Sequence, residues 1–343
     1  MAGEEEFGGE VVEAAGPRPF APDELVACES CVRANPPTRL SCLYCGAALP
    51  ATERSERLRR PALKKLEEWE AGYNVIIHGP AGPAVADDLA AELSPLLRVE
   101  EGLLRDCLSE GRALPLARFA TPEEAALIAE RLSARGLRSE TLGDEDLSMR
   151  EPPRRVRALE LKDEMLVGVG LQGDEPQSVL WTEVTLLVSG RIVRKRVEVE
   201  ERREKSRRDG EVIDTRELTG DEAVLDIYTT SADEAAGWRV LADNFDYTCL
   251  GPRKSLLARE NFSTLVGLLR ERAAAAAYDD DYARLRRLLA VAWPPAERDD
   301  TLGFRRERMG RYSTGTQTSV SNEAQFTRYS RLRRRHARRE GEG

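Results

Sequence analysis

Histidine is almost absent from this sequence: His78 and His336 are the only two in 343 residues. Nucleophilic catalysis by serine or cysteine usually needs a histidine as the neighbouring base. His336 lies in the C-terminal tail, so such a mechanism would depend on His78 alone. We interpret His78 as a polar residue at the end of a strand rather than as a ligand or a base. The scarcity of histidine therefore predicts a protein that is not an enzyme.

Long apolar stretches are also missing. No run approaches the roughly 18 apolar residues that a helix needs to cross a bilayer. The first residues, Met-Ala-Gly-Glu-Glu-Glu, have neither the basic start nor the apolar run of a secretory signal. We therefore expect a cytoplasmic protein with no transmembrane segment and with reduced thiols. Cys107 and Cys249 stand alone among apolar residues, which is typical of inert buried thiols.

A working nucleotide-binding loop is not indicated, although residues 168–173 read GVGLQG and match GxGxxG. That motif functions when it ends a strand and opens a helix whose N-terminal amide groups face the pyrophosphate. Here the strand-like residues 179–187 follow, so the sequence predicts a hairpin loop at this position.

Four cysteines, Cys28, Cys31, Cys42 and Cys45, stand at the spacing C-x2-C-x10-C-x2-C. Two thiolates separated by two residues can bind one metal ion from a single tight turn, and two such turns complete a tetrahedral four-sulfur site. This pattern predicts one structural zinc ion per chain and a zinc ribbon over residues 23–50. So short a segment cannot fold on an apolar core, and the metal would supply its stability, on the order of 10 kcal/mol.

With Asn35 between the cysteine pairs and Gly46 after the last cysteine, residues 25–50 resemble the zinc fingers named after the Ran-binding nucleoporin. Both residues tolerate positive φ and suit tight turns. Ubiquitin-binding members of that family carry Thr-Phe after the second cysteine, where this chain has Val32 and Arg33, so ubiquitin binding is not implied.

RNA-binding members of the same family stack a base on an aromatic ring and use arginine. Arg33, Arg39 and Tyr44 are placed similarly in this chain, and Val26 replaces the tryptophan that the family usually carries before the first cysteine. Arginine and tyrosine are equally what a solvated finger surface would carry, so the sequence leaves RNA recognition open.

Residues 72–148 predict a small domain with the order β-α-α-β-α-β. Its strongest local signal is the helix start at Thr121, a capping box with proline at the first helical position. The order of elements and the alanine-rich third helix resemble the ClpS protease adaptor and the C-terminal domain of the bacterial ribosomal stalk protein. The resemblance implies a domain that binds other macromolecules. It does not extend to the ClpS peptide pocket, because residues 78–80 and Leu108 replace the polar residues of that pocket.

Residues 154–295 predict a third domain, rich in antiparallel strands and covered by C-terminal helices. Many strands followed by an amphipathic helix over about 255–277 resemble a pleckstrin-homology-like barrel. The charged residues 201–209 are expected to form a solvated hairpin loop within it.

Charge is unevenly distributed around the net value of −9. Residues 1–22 are predicted to be a disordered acidic head, 51–71 a helical linker and 296–343 a mobile basic tail. The tail would meet an anionic partner, fold back on the head, or remain solvated. Its possible phosphate-binding residues are Arg331, Arg333, Arg334, Arg335, Arg338 and Arg339. Phe326, Tyr329 and Leu332 could form either a docking stripe or a solvated face of a short helix from about residue 323.

Together these patterns predict a multidomain α+β protein: a four-cysteine zinc ribbon, a βααβαβ domain, and an antiparallel β-rich domain with C-terminal helices. We expect a non-catalytic, zinc-binding adaptor with a protein partner. The alternative is an RNA-binding protein that uses the ribbon together with the arginine-rich tail. A membrane surface is not an expected partner.

Overall fold

The computed structural model of the chain describes residues 20, 25–37, 39, 42–47, 49–50, 66, 70–151, 153–171, 174–204, 211–230, 237–308 and 311–342. The chain divides into two compact units, Met1–Leu63 and Lys64–Gly343. Helices and strands are both abundant, which confirms the predicted α+β class. The predicted acidic head and helical linker lie almost wholly outside the described residues. None of the helices in the described part of the chain is long and apolar enough to cross a bilayer.

The smaller unit contains a short hairpin, in which β1 (Val26–Ala27) pairs antiparallel with β2 (Ala34–Asn35). Its buried cluster consists of Val26 and Leu49 together with the cysteines Cys28 and Cys42. Two large apolar side chains among the described residues are far too few to hold a fold by burial alone.

The larger unit begins with six elements in the predicted order. They are β3 (Tyr73–His78), α1 (Pro83–Leu97), α2 (Glu101–Ser109), β4 (Leu114–Phe119), α3 (Pro122–Ala134) and β5 (Arg138–Gly143). β3 is the central strand and pairs antiparallel with both β4 and β5. Thr121 caps α3 by accepting a hydrogen bond from the Glu124 amide at 3.3 Å, with Pro122 at the first helical position.

Both faces of this three-stranded sheet are covered. Val75, Ile76 and Ile77 are consecutive residues of β3 that point to alternate faces, and all three are fully buried. One face packs against the helices of its own segment, and the other is covered by the C-terminal part of the chain. There, buried Trp293 donates its Nε1–H to Asn74 Oδ1 at 2.7 Å. The βααβαβ segment is thus one layer of a larger core.

The second sheet of the larger unit has nine strands, ordered β13-β14-β9-β10-β11-β6-β7-β8, with β12 pairing beside β9. Its strands are β6 (Arg154–Leu161), β7 (Met165–Gly170), β8 (Gln177–Leu180), β9 (Val184–Glu204), β10 (Glu211–Thr229), β11 (Trp238–Leu241), β12 (Ala277–Asp279), β13 (Ala296–Arg308) and β14 (Arg311–Ser321). Neighbouring strands are antiparallel except for two parallel pairs, β11 with β6 and β12 with β9. Two helices interrupt these strands: α4 (Ala258–Arg272) lies between β11 and β12 in the chain, and α5 (Tyr282–Leu289) lies between β12 and β13. Trp181, Trp238, Leu225 and Leu265 belong to the apolar cluster between α4 and the sheet.

The GxGxxG run lies in a strand context. Gly168 and Gly170 belong to β7, which pairs antiparallel with β8. No helix begins among the described residues that connect β7 to β8. A Cβ atom on Gly168 would lie 3.0 Å from ring atoms of Trp238. Close packing against an aromatic ring therefore accounts for this glycine.

Residues 296–343 differ from the mobile basic tail that the sequence predicts. β13 and β14 form a hairpin, and β14 pairs with β9 from Arg311↔Glu204 to Ser321↔Arg194. The sequence pattern missed this hairpin because its Thr- and Ser-rich residues become a strand only beside a long neighbouring strand. β9 itself continues to Glu204, so the predicted loop at 201–209 is strand at its start, and 205–210 lie outside the described residues.

A last helix, α6 (Glu323–Glu342), is buried within the larger unit. Phe326, Tyr329 and Leu332 are fully buried, so they form neither a docking stripe nor a solvated face. They recur every three residues and so share one side of the helix. Tyr329 donates its hydroxyl to Asp279 of β12 at 2.5 Å, and Phe326 packs edge-to-face on the Tyr282 ring of α5.

A buried ion pair joins α6 to the large sheet. Arg239 of β11 and Asp226 of β10 each have 1% of the side chain exposed. Arg239 Nε donates to Asp226 Oδ1 at 2.7 Å and Nη2 donates to Oδ2 at 2.8 Å. Its remaining Nη1 donates to Thr327 Oγ1 of α6 at 3.0 Å. All three nitrogens of the guanidinium are therefore satisfied away from water.

We expect Asp226→Asn to lower the free energy of unfolding of the larger unit by about 3–5 kcal/mol, because the buried Arg239 loses its two-bond carboxylate partner. Its charge is then left to the partly exposed Glu323, whose Oε1 lies 3.6 Å from Nη1. Asp221→Asn is the matched control, since Asp221 is also on β10 but its pair with Arg191 is about half exposed. That change should cost about 1 kcal/mol or less. Urea unfolding followed by tryptophan fluorescence measures both. Equal losses in the two variants would contradict the assignment of the buried pair.

Candidate metal centre

The smaller unit brings the four predicted ligands together. The Sγ atoms of Cys28 and Cys45 are 3.6 Å apart and those of Cys31 and Cys42 are 3.5 Å apart. All four sulfur atoms lie within 4.8 Å of one another. Sulfur atoms at about 2.3 Å from a tetrahedral zinc ion would be about 3.8 Å apart, so the observed spacing fits zinc. With four protein ligands, no coordination position is left for a substrate.

Two turns of the same geometry hold the ligands. The Val32 amide donates to the Cys28 carbonyl at 2.7 Å, and the Gly46 amide donates to the Cys42 carbonyl at 3.0 Å. Each donor residue directly follows the second cysteine of its pair. Its backbone is in the left-handed region, with φ of 60° at Val32 and 74° at Gly46. Glycine adopts this conformation freely, whereas a β-branched residue is strained in it. One of the two turns therefore carries backbone strain that the other lacks.

Asn35 has a different role from the one that its tolerance of positive φ suggested. It lies in β2 with its side chain fully buried. Its Nδ2 donates to the Arg33 carbonyl at 2.8 Å, and its Oδ1 accepts from the Leu43 amide at 2.8 Å. One amide side chain thereby joins the two cysteine turns to each other.

The environment of Cys42 favours its thiolate form. Burial raises the pKa of the Cys42 thiol, but the backbone N–H groups of Tyr44 and Cys45 oppose this and lower the pKa to about 6. The Tyr44 amide lies 3.4 Å from the sulfur, and Asn35 Nδ2 lies 3.5 Å from it. Amide groups directed at sulfur are the support that a metal-bound thiolate needs from its surroundings.

Large side chains at the tips of the two turns face solvent. Val32 is 81% exposed, Leu43 is 52% exposed and Tyr44 is 58% exposed. The Arg33 guanidinium lies over the Tyr44 ring, 4.6 Å from its centroid. We call Val32, Arg33, Leu43 and Tyr44 the ribbon surface. It combines apolar area with one cation held on an aromatic face.

The arginines of the predicted tail lie on α6, and several of them bond within the larger unit. Arg331 donates to the backbone carbonyls of Leu147, Ser148 and Glu151, the last at 2.5 Å. Arg333 Nε donates to Asp279 Oδ2 at 2.9 Å. These two guanidinium groups fasten α6 to its neighbours and are not presented on a free tail.

Other arginines of α6 border a surface cleft. Arg334 lies over the Tyr228 ring at 5.1 Å, and Arg339 donates to Glu140 Oε2 at 2.8 Å. A cleft of about 210 Å³ lies between α6 and the loop 146–148. Its lining arginines are Arg331, Arg334, Arg335, Arg338 and Arg339. Asp146 is the one acidic residue in this lining, so the cleft suits an anionic ligand.

The fold also brings both histidines of the chain together, which the sequence pattern did not indicate. His78 Nε2 lies 3.1 Å from Glu140 Oε1, and His336 Nε2 lies 3.7 Å from the same oxygen. Burial lowers the pKa of His336 to about 4. Burial alone would raise the pKa of Glu140, but Arg339 holds it below its usual range. His78 is a strand end, as expected, but one that faces a carboxylate and a second imidazole.

In comparisons with known proteins, no protein-family model, curated protein or solved structure matches the chain. The resemblances to zinc fingers of the Ran-binding type, to ClpS and to pleckstrin-homology-like barrels therefore stay predictions.

We expect Val32→Gly to tighten zinc binding about two- to fivefold. Relief of about 1–2 kcal/mol of left-handed strain outweighs the roughly 0.5–1 kcal/mol entropic cost of glycine. Gly46→Val is the mirror control and should weaken binding about tenfold, since a Cβ there meets no atom within 4 Å and only the backbone is strained. Competition with a chromophoric chelator measures both. A shift in the same direction in both variants would contradict the strain argument.

Proposed function

We propose that this protein is a non-catalytic, zinc-binding adaptor that acts in the cytoplasm and binds a protein partner through its ribbon. The observation that carries the proposal is the closed four-sulfur cluster of Cys28, Cys31, Cys42 and Cys45, with the apolar ribbon surface at the tips of its turns. A metal with four protein ligands stabilises a fold and leaves no position for a substrate.

Zinc is the metal that the ligand set favours. Four thiolates in tetrahedral arrangement select zinc or iron-sulfur chemistry, and a single-ion site with paired CxxC turns is typical of structural zinc. None of the six cysteines forms a disulfide, so all four sulfur atoms of the ribbon are available to a metal ion.

The ribbon surface supports a protein partner. Val32, Leu43 and Tyr44 expose apolar area on a unit whose described residues bury little, and such area is a usual mark of an interaction site. Tyrosine and arginine are also the residue types that contribute most to protein interfaces. Arg33 stacked on Tyr44 places both in one contact patch.

An RNA partner is the alternative, and two observations favour it. Tyr44 with Arg33 offers a stacking platform for a base, and the cleft on α6 gathers arginines around a space suited to a phosphate. Phosphate contacts make affinity fall steeply as salt rises. An RNA oligonucleotide that binds with this salt dependence and loses affinity in Arg33→Gln would favour this alternative over a protein partner.

We expect Cys42→Ser to abolish metal binding at the ribbon. With one equivalent of cobalt at micromolar concentration, the thiolate-to-cobalt charge-transfer bands should appear in wild type and vanish in this variant, because three thiolates hold the ion much more weakly than a complete set of four. Cys249→Ser is the control and should keep the bands, since Cys249 is partly buried against the apolar cluster of the larger unit. Bands that persist in Cys42→Ser, or are absent in wild type, would refute the zinc ribbon.

We expect the double change Leu43→Ser and Tyr44→Ser to reduce capture of protein partners at least tenfold while zinc stays bound, because the ribbon surface loses its apolar contacts. Leu256→Ser is the matched control: Leu256 is fully exposed in the larger unit and should not affect capture. Quantitative mass spectrometry of pull-downs from cell extract compares the three proteins. Unchanged capture by the double variant would argue against a protein partner at this surface.

A further inference from the structure

The two histidines of the chain come from distant elements and meet over one carboxylate. His78 ends β3, Glu140 lies on β5 and His336 lies on α6. The imidazole rings are 5.2 Å apart between centroids and almost perpendicular, at 79°. Nitrogen atoms of both rings and one Glu140 oxygen lie within 4.8 Å of one another.

His336 is buried without a polar partner for its ring. Its side chain is 10% exposed. Neither Nδ1 nor Nε2 has a hydrogen-bond partner among the described residues. A buried polar group in this state is unfavourable, and most such groups in native proteins have a partner, a bound water or an ion. Its Nε2 points to the neighbourhood of Glu140 Oε1, where His78 Nε2 also points.

The distances among the three donor atoms suit one metal ion. Ligands at about 2.0–2.1 Å from a tetrahedral zinc ion are about 3.4 Å apart. The two separations from Glu140 Oε1, 3.1 Å to His78 and 3.7 Å to His336, lie on either side of that value. Small side-chain rotations would therefore bring all three donors to bonding distance.

We propose that His78, Glu140 and His336 form a second metal site, which takes a divalent transition-metal ion, zinc by preference. Water completes its coordination. Two imidazoles and one carboxylate are ligands that zinc, nickel and cobalt accept readily. Calcium and magnesium need several oxygen ligands, which this cluster does not offer.

The charges around the cluster set limits on the ion that binds. Arg339 donates to Glu140 Oε2, on the side of the carboxylate away from the histidines, and so fixes the orientation of the ligating oxygen. Arg333 and Arg335 also lie close enough to act electrostatically on His336 and Glu140. This positive surrounding disfavours ions held by charge alone and leaves those that bind imidazole strongly.

Such an ion would join α6 to the small sheet. β3 and β5 are neighbours in that sheet, whereas α6 comes from the far end of the chain. The ligands are split between the two, so an ion binds the docked arrangement and not the undocked one. Metal binding would thus stabilise the docked helix by mass action.

The test is cobalt and zinc titration of the full-length chain. We expect two equivalents of cobalt in wild type, one with thiolate charge-transfer bands and one without them. His336→Gln and Glu140→Gln should lose the second equivalent, with affinity weakened about 100-fold or more, and should keep the thiolate bands. Added zinc should raise the melting temperature of the larger unit in wild type and not in these variants.

Two further variants keep the test decisive. His78→Gln changes a ligand that is 20% exposed, so it provides the same readout if a variant at buried His336 does not fold. Glu92→Gln is the matched control, because Glu92 is an arginine-paired carboxylate on α1 and should retain both equivalents. A wild-type chain that binds no equivalent besides the one with thiolate bands, or a band-free equivalent that survives in His78→Gln and Glu140→Gln, would overturn the proposal. The thiolate bands report the ribbon separately, so failure of either site is distinguished from failure of the other.

Discussion

A buried guanidinium group keeps its charge, so a helix rich in arginine can enter a protein interior only where acceptors are already in place. α6 meets this condition along much of its length. Arg331 donates to three backbone carbonyls and Arg333 donates to Asp279. In the other direction, Thr327 of α6 accepts a hydrogen bond from Arg239 of β11. The layers of the larger unit share this helix, so their arrangement depends on these acceptors.

Asp279 shows how one carboxylate can organise several elements. It is almost fully buried on β12. Its carboxylate accepts hydrogen bonds from Tyr329 and Arg333 of α6. It also accepts one, at 2.8 Å, from Arg112, a residue that precedes β4 of the small sheet. Asp279 is the first of three consecutive aspartates before α5, where the dipole of a helix N-terminus by itself favours carboxylates. In the fold, the first of them is instead an acceptor shared by two distant segments.

Local signals in the sequence were enough for local structure. The cap at Thr121 and the turns of the two cysteine pairs each depend on a few neighbouring residues, and each is found where the sequence predicts it. The burial of α6 could not be read in this way, because its arginines look like a solvated tail until their acceptors are known. The meeting of His78 with His336 was hidden for the same reason, since it follows from where α6 docks.

The ribbon follows a different physical rule from the larger unit. In the larger unit almost every large apolar side chain of α6 is needed for the core, as Phe326, Tyr329 and Leu332 show. In the ribbon, sulfur ligands and the Asn35 amide hold the turns, so few buried apolar side chains are needed besides Val26 and Leu49. Leu43 and Tyr44 can then remain at the surface without loss of stability. A metal-held fold thereby separates the residues that maintain the structure from those available to a partner, which is why we place recognition on the ribbon.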